Sequence, residues 1–222
     1  MSKVKRLLVV KLSALGDLFH AVPVVHQLSE HYGCKVDWVT QPEYVELLKC
    51  HQDVDRVISF PRKGGLADIR TFLRTLRVRR YDLALDLQGL TKSGLVMGLC
   101  RSKRKIGSSH PREAANLFVR ETPPVTGATP HAMDVLFDTL RYLKVDTGQV
   151  SYPLSFKLNP ELPKEEGLVV ALAPRSRWIS KDWPECRFME LGKRLVQENK
   201  CALWILGGAE DAEIGDRLQG EL

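Results

Sequence analysis

Two segments of the 222-residue sequence combine residue types that could act on a bound ligand. The first is KLSALGDLFHAVP, Lys11–Pro23, and the apolar residues LLVV before it predict a buried strand that leads through a short loop into a helix. Parallel α/β sheets bind ligands beyond the carboxyl ends of their strands, which is where Ser13, Gly16 and Asp17 would lie. Glycine at position 16 can take a positive φ or permit close approach of a ligand.

The same residues also have a purely structural interpretation, and their spacing does not decide between the two. Asp17 falls in the first turn of the helix, where a carboxylate caps the backbone and favours the positive end of the helix. Gly16 can serve the turn alone. His20 follows Asp17 by three residues and therefore shares its helix face, as either a ligand contact or a structural histidine.

The second segment is APRSRWISKDWP, Ala173–Pro184, which again follows a predicted strand and precedes a predicted helix. Its three positively charged residues are Arg175, Arg177 and Lys181. Cations in a loop at a helix N-terminus suit an anion such as phosphate, and Ser176 adds a hydroxyl donor. The alternative is a solvated basic loop anchored by Trp178 and Trp183.

Other chemical motifs are missing from the sequence. It contains neither GxGxxG nor GxxxxGK[ST], so dinucleotide-binding and P-loop hypotheses lose their main support. The five cysteines form no CxxC pair, and none has metal-ligand spacing from a histidine. We therefore expect free thiols, no metal site and no cofactor.

The elements that must position these segments are those of a parallel α/β sheet, since apolar runs alternate with helical patterns. Strands are predicted at 6–12, 35–40, 56–60, 81–87 and 104–107, and helices at 17–31, 42–49, 66–79, 91–101 and 131–143. After a stretch rich in proline and glycine, the pattern restarts with strands at 168–173 and 201–206 and helices near 184–198 and after Gly208.

These elements divide the chain into a first domain at 1–150, a linker at 151–167 and a second unit at 168–222. Two strands are fewer than a doubly wound domain normally needs, so we expect the second domain to be incomplete in this chain.

The net charge of +6, with a pI near 9.1, favours an acidic partner such as nucleic acid, anionic lipid or a phosphorylated substrate. No apolar run approaches the roughly 20 residues that a membrane-spanning helix requires. Lys11 interrupts the apolar stretch near the N-terminus after four residues, which does not fit a signal peptide. We expect a soluble intracellular protein.

At its two motifs the sequence resembles a known family. VKLSALGDLFHAVPVV is similar to the N-terminal signature of the lipopolysaccharide heptosyltransferases of glycosyltransferase family 9, and PRSRWISKDWP resembles their second signature. VDWVTQPEY, YDLALDLQGLTKSG and RKIG match further family segments in the same order. The resemblance extends over essentially the whole chain.

The resemblance implies a GT-B architecture, in which two Rossmann-like, doubly wound domains face each other across a cleft. It further implies inverting, metal-independent transfer of heptose from ADP-heptose to the Kdo- or heptose-bearing inner core of lipopolysaccharide. Asp17 matches the family's proposed general base, and Lys181 matches the lysine that holds the donor phosphates. Ser176 and Arg177 fall on neighbouring donor positions.

By the same resemblance, the acceptor would be Kdo-lipid A or a heptosylated core. The acceptor-binding residues would be Ser13, Gly16, His20, Arg62 and Lys63. A lipid-linked acceptor implies a cytoplasmic protein in transient peripheral contact with the inner face of the inner membrane. Arg62 and Lys63 can equally belong to a solvated charged surface.

Two other functions compete with the transferase hypothesis. A Gly/Asp/Thr/His-rich signature of the family has no match between Gly208 and Leu222, which leaves a non-catalytic relative that binds anionic glycolipid or a partner protein. The basic runs RVRR and RSKRK suggest nucleic-acid binding, but no stacking aromatic residues are interleaved with them. We therefore expect no nucleic-acid partner.

Overall fold

Four consecutive apolar residues, Leu7–Val10, form strand β1 at the centre of a parallel sheet. They are buried because successive side chains of a strand point to opposite faces, and both faces of this sheet are covered. The fold is described from a computed structural model, which describes residues 4–127, 131–157, 162, 165–176 and 179–221.

The first sheet has five strands in the order β3-β2-β1-β4-β5. The other four strands are β2 (Val36–Thr40), β3 (Val54–Ser59), β4 (Tyr81–Asp86) and β5 (Ser102–Ile106). Five helices accompany them: α1 (Leu15–Tyr32), α2 (Val45–Lys49), α3 (Leu66–Arg77), α4 (Thr91–Leu99) and α5 (Ala132–Leu143). Short 3₁₀ turns lie at Pro42–Tyr44 and Ala115–Phe118. All pairings in this sheet are parallel, so the carboxyl ends of the strands meet at one edge.

Each face of the sheet has its own apolar core. Leu7 and Val9 pack with side chains of α1 and α5 on one face. Leu8 and Val10 pack on the other face with side chains of α3 and α4. Strand β1, which leads into the loop before α1, is therefore packed between two apolar cores.

The second unit contains a two-stranded parallel sheet of β6 (Val169–Leu172) and β7 (Ala202–Ile205). Its helices are α6 (Glu185–Asn199) and α7 (Ala212–Glu221), with 3₁₀ turns at Ile179–Lys181 and Ala209–Asp211. The guanidinium of Arg217 on α7 donates two hydrogen bonds to the carboxylate of Glu185, at 2.8 and 3.1 Å, which joins the two helices.

The predicted strands and helices are all present, with bounds within two residues of those observed. One differs in kind: the helix predicted at 42–49 is a 3₁₀ turn followed by the single short helix α2. The five cysteines are free thiols, as predicted. Within the described ranges, no helix is both long and apolar enough to cross a bilayer.

The chain divides into two compact units, residues 1–157 and 158–222. The segment 151–157, which the sequence assigns to a linker, lies in the first unit because its backbone hydrogen-bonds to the loop before β3. The N–H of Gln52 donates to the carbonyl of Pro153 at 2.9 Å, and the N–H of Ser155 donates to the carbonyl of Cys50 at 2.8 Å.

A buried ion cluster fixes the pairing of the first sheet near its amino-terminal edge. Asp37 of β2 accepts hydrogen bonds from the hydroxyl of Tyr81 at 2.7 Å and from Nη1 of Arg79 at 2.9 Å. Nη1 of Arg56 lies 3.5 Å from the same carboxylate. Burial raises the pKa of Asp37, and the Tyr81 hydroxyl and the two guanidinium groups oppose that rise.

Replacing Tyr81 with phenylalanine tests this cluster. The change leaves a buried carboxylate without one of its donors, so we expect Tyr81→Phe to lower the free energy of unfolding by about 1–3 kcal/mol, measured by urea denaturation followed by circular dichroism. Tyr142→Phe is the matched control, because the Tyr142 hydroxyl donates to Glu121 at 3.2 Å on the exposed surface. An equal loss in both variants would contradict the proposed role of burial.

Candidate functional site

The loop between β1 and α1 is held at the carboxyl edge of the first sheet by a side chain from the turn that follows the neighbouring strand β4. Oε1 of Gln88 accepts hydrogen bonds from the backbone N–H groups of Leu12, at 3.0 Å, and Ser13, at 3.1 Å. The N–H of Gln41 donates to the carbonyl of Leu12 at 3.1 Å from the other side. The loop therefore has a defined path before α1 begins.

Gln88 is itself positioned by a buried carboxylate at the end of β4. Oδ1 of Asp86 accepts from the N–H groups of Gln88, at 2.9 Å, and Gly89, at 3.0 Å. Oδ2 accepts from the hydroxyl of Ser93 on α4 at 2.9 Å. Gly89 has φ +71°, and a Cβ there would lie 2.9 Å from Cβ of Ser108, so the turn requires glycine.

Lys11, the residue that directly follows β1, is a buried lysine. Burial lowers the pKa of Lys11, while the nearby carboxylates of Asp17 and Asp86 oppose that effect. Burial also raises the pKa of Asp86, and its hydrogen bonds from Gly89, Gln88 and Ser93 oppose the rise. A cation and two carboxylates thus lie close together at the edge where ligands of such sheets bind.

Asp17 is half-buried in the first turn of α1. Its Oδ2 accepts a hydrogen bond from the N–H of Ala14 at 3.2 Å, as expected for a carboxylate that caps the helix. Its Oδ1 has no hydrogen-bond partner among the described residues. The structural and chemical interpretations are therefore compatible, because one oxygen fixes the orientation and the other is available to a ligand.

The loop and the first turns of α1 bring together four of the predicted site residues, which are Ser13, Gly16, Asp17 and His20. Nδ1 of His20 is buried and has no hydrogen-bond partner in the described part of the chain. The His20 ring centroid lies 6.0 Å from that of His131, whose Nδ1 accepts from the N–H of Met133 at the start of α5.

Arg62 and Lys63 lie beyond the carboxyl end of β3, on the same edge of the sheet. They are exposed, and they line a cavity of about 580 Å³ together with Pro42 and Asp68. Neither forms an ion pair with any residue that the structure describes. β3 is two strands from β1, which corresponds to roughly 10 Å across the sheet.

In the second unit, the loop after β6 is fixed by Asp182. Its carboxylate accepts from the guanidinium of Arg175 at 3.0 Å and from the N–H of Ser176 at 2.8 Å. The hydrogen bond from Arg175 lowers the pKa of Asp182. The positive charge of Arg175 is therefore compensated within the loop, unlike the three-cation loop that the sequence suggests.

Lys181 ends the 3₁₀ turn of this loop. It is exposed, and within the described ranges it has no ion-pair partner. Arg177, the other predicted donor-site residue, and Trp178 lie outside the described residues.

Sequence reasoning missed Lys11, Asp86 and Gln88 as parts of the site. A lysine that directly follows four buried apolar residues was the available signal for the first, and the polar run DLQG at the end of β4 was the signal for the other two.

One cluster of three possible metal ligands lies elsewhere. One ligand atom from each of His26, Glu30 and Asp53 lies within 4.8 Å of the others, and Nδ1 of His26 is 2.8 Å from Oδ2 of Asp53. Asp53 precedes β3, so this cluster is at the amino-terminal edge of the sheet, opposite Asp17.

Residues 69–222 match the family model "Glycosyltransferase family 9 (heptosyltransferase)". The chain is 26% identical to lipopolysaccharide heptosyltransferase 1 of Pseudomonas aeruginosa, over 98% of this chain and 65% of that protein. It is 28% identical to lipopolysaccharide heptosyltransferase 1 of Escherichia coli K12, over 84% of this chain and 63% of that protein. The chain thus spans less than two thirds of the length of these curated relatives.

Solved structures agree in fold. The structure of E. coli heptosyltransferase WaaC with ADP superposes with a TM-score of 0.82 and 26% identity, covering 97% of this chain and 72% of that one. E. coli ADP-heptose lps heptosyltransferase II gives a TM-score of 0.76 at 20% identity, covering 98% and 69%. The α/β fold class, of the GT-B type, is confirmed.

The Lys11–Asp86 interaction predicts a change in titration. In Lys11→Met, the carboxylate of Asp86 loses a nearby positive charge, so we expect the pKa of Asp86 to rise further, as followed by carbon-13 NMR of the carboxyl groups. A folded-state pKa above the unfolded value stabilises the fold at low pH, and that stability is lost as the pH rises through the folded pKa. In the variant, this stabilisation at low pH should therefore persist to a higher pH before it is lost.

Lys103→Met is the control for this titration. Nζ of Lys103 donates to Oδ1 of Asp82 at 2.7 Å and lowers the pKa of Asp82. This variant should raise the pKa of Asp82 and leave that of Asp86 unchanged. An unchanged pKa of Asp86 in Lys11→Met would refute the interaction.

Proposed function

The chain belongs to glycosyltransferase family 9, and on that premise we propose that it transfers heptose from ADP-heptose to the inner core of lipopolysaccharide. The observation that carries the proposal is the Asp17 carboxylate. It lies at the carboxyl edge of the sheet, is oriented by the Ala14 N–H, and has one oxygen without a partner among the described residues. A general base needs such a fixed carboxylate within reach of the proton that it removes.

In the proposed reaction, Asp17 takes the proton from an acceptor hydroxyl as its oxygen attacks the anomeric carbon of the donor heptose. A bond forms between that oxygen and the anomeric carbon, while the bond from this carbon to the diphosphate oxygen breaks. The electron pair of the broken bond leaves with ADP. Attack opposite the leaving group inverts the configuration at the anomeric carbon.

Lys181 is proposed to stabilise the departing diphosphate. Its exposed ammonium has no ion-pair partner in the described part of the chain, so its charge is available to a ligand. A positive charge at the place where negative charge develops lowers the barrier, and a lysine can supply it without a metal ion. Ser176 and Arg177 are proposed as neighbouring donor contacts, with Arg177 outside the described residues.

The acceptor is proposed to lie along the carboxyl edge of the first sheet. Arg62 and Lys63 would bind the anionic groups of Kdo-lipid A or a heptosylated core, and Ser13, Gly16 and His20 would flank the reacting hydroxyl. Because such an acceptor is anchored in lipid, the proposal places the protein in the cytoplasm, in transient contact with the inner membrane. Nucleic acid is not among the proposed partners.

A second candidate is binding of an anionic glycolipid without transfer. It is favoured by Arg62 and Lys63, because these exposed cations belong to the first unit and need nothing from the second. The two candidates differ in one measurement: the glycolipid binder binds the acceptor yet forms no product when ADP-heptose is added.

Asp17→Asn tests the proposed base. The substitution keeps the size of the side chain but removes its basicity, so we expect kcat/KM to fall by about 10²–10⁴-fold with donor and acceptor binding retained. The assay is transfer from ADP-heptose to a detergent-dispersed Kdo-bearing lipid A. Asp134→Asn is the matched control, since Asp134 caps α5 by accepting from the N–H of His131 at 3.2 Å, the distance seen for Asp17. An equal fall in kcat/KM in both variants would show that Asp17 acts only as a helix cap.

Lys181→Gln tests the proposed donor contact. Loss of the positive charge should lower kcat/KM for ADP-heptose by about tenfold or more, because the developing charge on the diphosphate loses its partner, and the acceptor KM should not change. Lys181→Arg should restore part of the activity. The control is Arg194→Gln, which removes an exposed charge from α6 that is already paired with Glu198 at 3.1 Å. An unchanged kcat/KM for ADP-heptose in Lys181→Gln would contradict the assignment.

A further inference from the structure

Helix α3 exposes an apolar stripe that no described part of the chain covers. Leu66 is 87% exposed, Ile69 is 42% exposed, and Val78, directly after the helix, is 74% exposed. Leu73 lies between them and is half-buried. A soluble helix normally buries its large apolar residues, and α3 does so only with Phe72 and Leu76.

The geometry of the helix makes three of these residues continuous, and Val78 borders the same groove on the other side of the arginines. At 3.6 residues per turn, Leu66, Ile69 and Leu73 lie along one side of α3, beside the buried Phe72 and Leu76. The apolar arc of the helix is therefore wider than the face that packs on the sheet, and its outer part faces solvent.

Four arginines flank the exposed stripe: Arg70, Arg74, Arg77 and Arg101. None of them forms an ion pair with any residue in the described ranges, although Nη1 of Arg101 lies 3.5 Å from the carbonyl oxygen of Arg77. The acidic residue of the helix, Asp68, caps its N-terminus by accepting from the N–H of Gly65 at 2.9 Å. Apolar residues and arginines together line a shallow groove of about 970 Å³.

We propose that this α3 surface, the apolar stripe with its four flanking arginines, docks on the surface of an anionic lipid bilayer. The argument is charge complementarity combined with exposed apolar area. Arginines bind lipid phosphates, and neighbouring leucine, isoleucine and valine side chains enter the boundary between headgroups and acyl chains. A helix of this kind lies in the plane of the interface.

The position of α3 connects this surface with the proposed site. The helix begins three residues after Lys63, at the carboxyl edge of the sheet. A docked α3 would therefore hold Arg62 and Lys63 close to the lipid headgroups, where a lipid-linked acceptor is found. The inference deepens the proposed function and rests on it for this last step, but docking itself needs neither donor nor acceptor.

The test is flotation of the full 222-residue chain with vesicles, without donor or acceptor. We expect binding to phosphatidylcholine vesicles that contain about a third phosphatidylglycerol, weaker binding at high salt, and little binding to pure phosphatidylcholine. Replacing two arginines, in Arg70→Gln/Arg74→Gln, should lower the partition coefficient by about tenfold or more. Leu66→Ser/Val78→Ser should produce a comparable loss, and because both residues are exposed these substitutions remove no core packing.

The matched control is Arg187→Gln/Arg194→Gln on α6. It makes the same change in net charge, but both arginines are paired with glutamates on their own helix. Its partition coefficient should stay within about twofold of the unmodified chain. Equal binding to neutral and anionic vesicles, or an equal loss in the α6 control, would overturn the proposal. So would a chain that self-associates through α3 and does not float.

The transfer assay with a detergent-dispersed acceptor separates the two proposals. If α3 docks on lipid and the chain is a transferase, the α3 variants keep their activity on that acceptor and lose it on acceptor in vesicles. Vesicle binding together with acceptor binding but no transfer would support docking and would favour glycolipid binding over the transferase proposal. Transfer that is equally efficient from vesicles in all variants would refute docking and leave the transferase proposal intact.

Discussion

The buried carboxylate of Asp86 is the interaction on which the candidate site depends. A carboxylate in an apolar interior is costly unless hydrogen bonds satisfy it, and here two backbone N–H groups and one serine hydroxyl do so. Those bonds force the chain after β4 into a tight turn, and the turn places Gln88. Oε1 of Gln88 then accepts hydrogen bonds from the N–H groups of Leu12 and Ser13, which would otherwise be unpaired after the end of β1. The buried side chain of Asp86 therefore helps to fix the path of the chain into α1, on which Asp17 lies.

The same arrangement explains why a lysine can be buried at the end of β1. Lys11 follows four apolar residues in a strand clamped between two cores, a position that normally excludes a charge. The carboxylates of Asp86 and Asp17 offset part of its desolvation. The helix cap made by Asp17 has a second consequence, because the bond to Ala14 occupies one oxygen and leaves the other without a protein partner in the described ranges. Capping therefore leaves that second oxygen available for the proposed role of Asp17 as a base.

The fold was predictable because its signals are local. Consecutive apolar residues in LLVV predict a strand covered on both faces, and the amphipathic patterns between the strands predict the crossover helices. The loop at 11–17 was also predictable, since topology alone places it at the ligand-binding edge. The role of Gln88 was not, because it depends on contacts about 75 residues apart along the chain, which no periodicity reveals. Asp86 acts on the loop through Gln88, so its role was hidden as well. Asp182 neutralises the charge of Arg175, seven residues before it. This contact depends on the path of the loop and not on a sequence period, so it could not be predicted either.

Pairing, rather than net charge, indicates where the first unit can meet an anionic partner. Arg56, Arg79 and Arg104 have carboxylate partners, so their charges stabilise the fold and contribute little to the outer field. Other cations of the first unit lack such partners within the described residues. They include the cations of the loop after β3 and those of the adjoining α3 surface. A net charge of +6 could not distinguish nucleic acid, lipid and phosphorylated substrate. Unpaired arginines beside exposed leucine and isoleucine favour lipid, because a bilayer surface offers phosphates and an apolar phase within a few ångströms of each other, and a solvated phosphate or a nucleic-acid backbone offers only the first.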